Sequence, residues 1–347
     1  MNVAIITVIN ILMSILDFFL YYQRSINLNN YNWVIMIIFI PFIALLYCSS
    51  LTFFFIYKKK ITSHRLVSQV KNKYIYISSL IETITALMDS VVFIELSILH
   101  IILISNISLI IRVILNYFIL KKKYVHTHYI GLCCIITGSL IILLKNVTNN
   151  SDNINTIILT FALNFFNIIQ SIIEEKIIKQ DTSYEMWGYW VSFYFYQFIN
   201  GLIVFPIFIK IKSIDDIHTF LYKSINCQFL GNNNESNDNC NFAYLWFIVY
   251  IFNGVMVDVV VLIIYKNKGN VFSELLKSVI NPMIIFIGYL LVKFDILSKT
   301  DDYDVTIEKI IGFVLSCIGL LFYNLKKEIH TKNTIEVPLL SSQCAII

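Results

Sequence analysis

Residues 74–120 form a run of 47 positions that is almost continuously apolar. At ~1.5 Å per residue a single helix of that length would reach ~70 Å, more than twice the ~30 Å hydrocarbon core of a bilayer. The run is therefore expected to fold as two helices joined by a tight turn near His100. Eight further runs approach or reach the length a membrane span needs, about 20 apolar residues: 3–22, 33–57, 129–144, 154–173, 186–209, 242–265, 271–292 and 307–325. The expected fold is thus an all-α membrane protein with ten transmembrane helices. Composition leaves little alternative: of 347 residues 58% are hydrophobic and 14% charged, and the mean hydropathy is +0.74. A soluble domain of this size would lack the polar residues to cover its surface. Ile, Asn and Lys recur throughout, as a biased nucleotide composition would produce, so the Asn-rich loops are not read as functional. The first run starts at Val3 with no charged segment before it and no small-residue cleavage site after it, and reads as a retained helix.

Basic residues set the orientation. The loops after the second, fourth, sixth, eighth and tenth runs hold 16 of the 26 lysines and arginines, and the opposite loops hold 8. The positive-inside rule then places both termini in the cytosol. Three glycosylation sequons, at Asn146, Asn149 and Asn234, fall in expected lumenal loops. Cys227 and Cys240 share the loop 210–241 on the same side. They are either two unpaired thiols or a disulfide; the bridge is favoured because Cys48, Cys133, Cys134 and Cys317 lie in apolar runs and read as packing.

The two halves echo each other. Gly131 and Gly138 in the fifth run match Gly312 and Gly319 in the tenth, and glycines seven apart share a helix face and admit close helix approach. Asp89 sits fifteen residues after Tyr74, as Asp258 sits fifteen after Ala243. Five runs per half make the repeats opposite in topology, so the expected architecture is two inverted five-helix repeats, about 1–145 and 154–327. These form one transporter domain over 1–327, followed by a cytosolic tail, 328–347. Inverted repeats recur in transporters, with the substrate near the midplane.

Charges within a span are costly unless they face a cavity or a partner. The candidates for a substrate and proton pathway are Asp89, Asp258, Arg112, Glu95 and Lys277, with Glu274 beside the last; Asp17 and Glu82 fall nearer expected interfaces. The carboxylates would receive a cationic solute or a proton. Arg112 would neutralise an acid or hold a substrate carboxylate. The competing account is structural pairing, such as Arg112 with Asp89, and a local i, i+3 pair between Glu274 and Lys277. Pro282, after Asn281, is expected to break or kink the ninth helix. The aromatic residues Tyr184, Trp187, Tyr189, Trp190, Phe193, Tyr194 and Phe195 open the seventh run; an interfacial belt explains its first turns, and cation–π contact with a substrate is the other reading. His100, His126 and His128 make no metal set, and no metal or cofactor is called for. No nucleotide motif, HExxH or soluble catalytic domain is present in the sequence, which disfavours enzymology and ATP-driven transport. The expected partners are a small-molecule substrate, protons and the lipid bilayer, and no nucleic acid.

Several segments resemble the chloroquine-resistance-transporter-like (CRT-like) family of the drug/metabolite transporter superfamily. Arg24-Ser-Ile-Asn27 resembles the end of its first helix, and the stretch from Tyr117 to Gly131 resembles its fourth-to-fifth helix junction. Glu175-Lys-Ile-Ile-Lys179, Val191-Ser-Phe193 and Gln197-Phe198 resemble its sixth and seventh helices. Cys227-Gln-Phe-Leu-Gly231 resembles the start of its large lumenal loop, and Phe252-Asn253 with Pro282 keep its later spacing. The chain departs from the family in a nearly absent N-terminal tail, in Ile110 near the family's helix-four proline, and in two loop cysteines where four are usual. The resemblance implies a ten-helix carrier in a vacuolar or lysosome-like membrane. It would export basic amino acids, peptides or amine drugs to the cytosol with protons. The alternatives are a nucleotide-sugar, organic-phosphate or glutathione-like thiol transporter of the same fold, or a non-transporting receptor or scaffold. In the tail, Glu336 to Leu340 resembles a dileucine sorting signal and Cys344-Ala-Ile-Ile347 has the form of a prenylation box.

Overall fold

The structure is a computed structural model that describes residues 3–28, 32–58, 63–95, 98–143, 154–179, 185–211, 217–233, 240–241, 243–294, 306–325 and 329–330. Its long helices are α1 (Val3–Leu28), α3 (Ile40–Tyr57), α5 (Lys73–Glu95), α6 (Ile98–Ile119), α7 (His126–Leu143), α8 (Ile154–Ile178), α9 (Glu185–Ile211), α11 (Ala243–Lys268), α12 (Asn270–Lys293) and α13 (Ile307–Asn324). The short turn α2 (Asn32–Val34) enters α3 through a π-helical segment, Ile35–Phe39. Among the described residues six segments are long and apolar enough to cross a membrane: Ile35–Tyr57, Asn155–Ile178, Met186–Ile207, Ala243–Lys268, Asn270–Lys293 and Ile307–Asn324. α1, α6 and α7 carry shorter apolar stretches. Large apolar side chains such as Leu12, Phe53, Ile203, Ile248 and Leu321 face outward, as lipid requires.

The run 74–120 gives two helices that adjoin near His100, as expected. α5 ends at Glu95 and α6 begins at Ile98, giving helices of 23 and 22 residues. Each is ~33 Å long, which fits the hydrocarbon core better than an uneven division. Of the two outcomes expected at Pro282, the break does not occur: α12 runs unbroken through it. Proline removes one helical hydrogen bond, and the burial of Val279, Ile280, Pro282 and Ile284 against neighbours keeps the helix continuous. α9 likewise continues through Pro206.

Two short helices lie outside the apolar runs. α4 (Ser63–Val70) packs on α9, where the Tyr196 hydroxyl donates to the Val70 carbonyl. α10 (Ile217–Leu230) occupies the loop 210–241 and packs on α11. A disulfide joins Cys227 on α10 to Cys240, both fully buried, and Gln228 donates to the Ala243 carbonyl at 2.8 Å. One antiparallel pair of two-residue strands, β1 (Lys122–Lys123) and β2 (Ile329–His330), ties the segment after α6 to the C-terminal end.

Helix packing repeats with the halves exchanged. α1 packs on α11 as α8 packs on α5, and α6 meets α7 as α12 meets α13. α7 and α13 pack on each other along the glycine seam. A Cβ on Gly131 would lie 2.6 Å from the Gly319 carbonyl oxygen, and one on Gly138 would lie 2.6 Å from that of Gly312. The helices are antiparallel there and touch backbone to backbone, which only glycine permits. Gly201 on α9 does the same for the π segment, since a Cβ there would lie 2.0 Å from the Ile37 carbonyl oxygen.

Candidate transport cavity

The remaining helices surround a cavity of about 510 Å³, a size suited to a small organic molecule. Its wall comes from α1, the π segment, α3, α5, α6, α8, α9, α11 and α12. Six carboxylates line it, Asp17, Glu82, Asp89, Glu174, Asp258 and Glu274, with two basic residues, Arg112 and Lys277.

Both cations face the same acid. Arg112 Nη2 lies 3.0 Å from Glu274 Oε2, its Nη1 donates to Ser171, and the pair is only 3% and 6% exposed. Lys277 Nζ lies 3.6 Å from Glu274 Oε2 across one helical turn. The pairing of Arg112 with Asp89 that the sequence suggested is therefore replaced by one with Glu274, because α6 packs on the first turns of α12. The local pair Glu274–Lys277 is present, yet both residues also line the cavity.

Other acids are held by neutral donors. Asp258 Oδ2 accepts from the Tyr194 hydroxyl at 2.7 Å. Glu174 Oε1 accepts from Gln170 at 3.1 Å, Tyr189 at 3.2 Å and Ser78 at 3.3 Å. Asp17 Oδ1 accepts from Asn253 at 3.1 Å, linking α1 to α11. Asp89 and Glu82 sit seven residues apart on α5, on one face, and both reach the cavity. Glu95 ends α5, with its side chain outside the described residues, as is that of His100. Asn146, Asn149, Asn234 and, apart from Ile329–His330, the tail also lie outside them.

Glu174 went unread because it adjoins Glu175, Lys176 and Lys179 and so looks like a cytosolic helix end. Asp17 and Glu82, read as interfacial, prove to be cavity residues. The aromatic cluster at the start of α9 is divided between two surroundings. Tyr189, Trp190, Phe193 and Tyr194 are buried, and Trp190, Phe193 and Tyr194 line the cavity; Trp187, stacked on Phe55, sits nearer the start of the helix, and Tyr184 lies outside the described residues. His128 is buried, accepts from the Val125 amide at 2.9 Å and packs against Tyr323. Among the described residues no cluster of His, Cys, Asp and Glu is placed to hold a metal ion.

A helical bundle of membrane-spanning length around a charge-lined cavity defines a multi-pass membrane protein of the transporter type. The sequence pattern of the family described as CRT-like, chloroquine-resistance transporter-like, matches residues 3–323, and the chain belongs to that family. Comparison with curated proteins gives no match. Among solved structures, one described only as a crystal structure of a protein is similar with a TM-score of 0.54 at 11% identity, covering 93% of this chain and 97% of its own. That similarity concerns the fold alone.

Proposed function

We propose that this protein is a secondary transporter that exports small cationic solutes, such as basic amino acids, peptides or amine drugs, from an acidic vacuole to the cytosol with protons. One observation carries the reading: six carboxylates line the cavity against two bases, and both bases are directed at Glu274. The field inside is therefore negative, and low-dielectric walls focus it on an entering cation. Asp and Glu in membrane interiors also serve as proton relays, so the same groups can exchange a proton for the solute. Trp190, Phe193 and Tyr194 offer aromatic faces to an ammonium group. Anionic substrates, whether nucleotide sugars, organic phosphates or thiol peptides, need spare cations on the wall, and Glu274 occupies both of those present.

In this reading ten helices cross the membrane, with α2, the π segment and α3 as one span and α4 and α10 outside the count. The exchange of packing partners between halves and the antiparallel α7–α13 seam support two inverted repeats. The lysine-rich loops support cytosolic termini. The vacuolar address rests on the family.

Uptake of labelled arginine, lysine and a short basic peptide into proteoliposomes under an imposed pH gradient tests the proposal. The expected result is saturable, gradient-driven movement that Asp89→Asn reduces at least tenfold. Movement indifferent to the gradient, or none in folded protein, overturns it.

A further inference from the structure

Beyond the cavity, toward the lysine-rich end of the bundle, lies a second charged cluster that the transport reading does not use. Glu175 is fully buried at the end of α8. Its Oε1 and Oε2 each lie 2.9 Å from Nζ of Lys122, which is itself fully buried. Lys179, one turn on, donates to Oε1. The backbone N–H of Asn270, the first residue of α12, donates to Oε2 at 2.8 Å. One carboxylate thus gathers the strand after α6, the end of α8 and the start of α12.

The backbone is shaped to deliver these groups. Lys121 takes a left-handed conformation, φ 51°, that residues with a Cβ disfavour, and the turn it makes leads into Lys122. Gly269, at φ 90°, turns α11 into α12 directly before the donating amide. β1 is further pinned by pairing of Lys122 with His330.

The same three helices are cross-linked a second time at the cavity edge, by Arg112 on α6, Ser171 on α8 and Glu274 on α12. The cavity wall extends to Arg112, Glu174, Tyr265 and Glu274 at this end, whereas at the other it reaches Tyr21, Met36 and Val92. In sequence between the two tiers lie Asn116 on α6 and Ser273 on α12. Their buried side-chain oxygens, with both polar atoms of Asn270, have no hydrogen-bond partner among the described residues. Polar side chains are costly in a permanent apolar seal but suit a passage that is wetted when open.

We propose that Glu175, with Lys122, Lys179 and the Asn270 amide, is a latch that closes the cavity at its lysine-rich end, and that solute leaves between α6, α8 and α12 when the latch releases. The proposal rests on the transport reading for its purpose, but its test needs no substrate. In a chain whose Cys48, Cys133, Cys134, Cys317 and Cys344 are replaced by serine, Asn167→Cys places one thiol in the cavity. A membrane-impermeant maleimide is added at the lysine-rich face of sealed vesicles. Labelling is expected to be slow in this parent and at least tenfold faster with Glu175→Gln. A second variant, Lys122→Gln with Glu175→Gln, removes the pair together and leaves no isolated buried charge between them, which protects folding; it is expected to label as fast. An unchanged labelling rate in the folded double variant overturns the latch. Faster labelling without any cation transport leaves the latch standing and removes the cation reading instead.

Discussion

Arg112 shows how a single residue was half legible. A guanidinium in an apolar run announces a partner, because an isolated charge in a span is costly. The sequence does not say which acid, since candidates at positions 82, 89, 258 and 274 are equally apolar in context, and the choice falls to the crossing of α6 and α12. Removing one member of a buried ion pair strands the other, at about 3–5 kcal/mol. Glu274→Gln is therefore expected to lower the thermal midpoint of the detergent-solubilised protein strongly, because it strands a buried Arg112 guanidinium that cannot lose its proton, and Arg112→Leu less so, because Glu274 keeps Lys277 and can take up a proton. The double variant is expected to lose less than the sum of the two, with a coupling of about 1–3 kcal/mol. Strict additivity, measured by thermal unfolding followed through tryptophan fluorescence, would show that the pair contributes nothing. Glu174 was missed for the opposite reason: neighbouring charges disguised a residue that α8 turns inward toward Ser78, Gln170 and Tyr189.

Whole elements were easier to read wherever about 20 apolar residues in a row dictated them, as in α3, α8 and α11. α4, α10 and the π segment were not legible. The first two are too short to span a bilayer, at 8 and 14 residues, and dock against α9 and α11, and the third is a local insertion that periodicity does not register. The glycine echo between the fifth and tenth runs was visible as spacing, but only the structure puts the two sets of glycines against each other. At that seam a methyl group at Gly131 would sit 2.6 Å from one carbonyl oxygen and 2.9 Å from the Tyr323 amide nitrogen. Neither is a flexible side-chain end, so the helices must part. Overpacking of this kind costs about 1–3 kcal/mol. Gly131→Ala is expected to lower the thermal midpoint, and Gly131→Leu to lower it further. Gly254→Ala, whose nearest atom would be Asp17 Oδ1 at 3.7 Å, is expected to be tolerated. Equal midpoints for the α7 and α11 variants would remove the backbone contact from the account.

At the level of the molecule, the proposed orientation makes opposite ends of the bundle answer to opposite compartments. Lys58, just past α3, and Tyr222, on α10, are both exposed. In the serine-substituted background described above, Lys58→Cys is expected to react with an impermeant thiol reagent from the cytosolic side alone, and Tyr222→Cys from the lumenal side alone. Reaction of both from one side would overturn the topology. The proposed orientation rests on the lysines of the sequence; the cavity has no such signal. That cavity assembles residues from Ser14 to Ile284, and no local pattern marks positions that become neighbours only when nine segments converge.

The α7–α13 pair stands apart from all of them, since neither helix contributes a residue to the cavity wall among the described residues. It is joined at its backbone and lies away from the pathway. That gives the experimenter a handle: Cys133 on α7 is exposed, and a fluorophore or surface tether attached there would report on or immobilise the molecule while leaving its moving parts unencumbered.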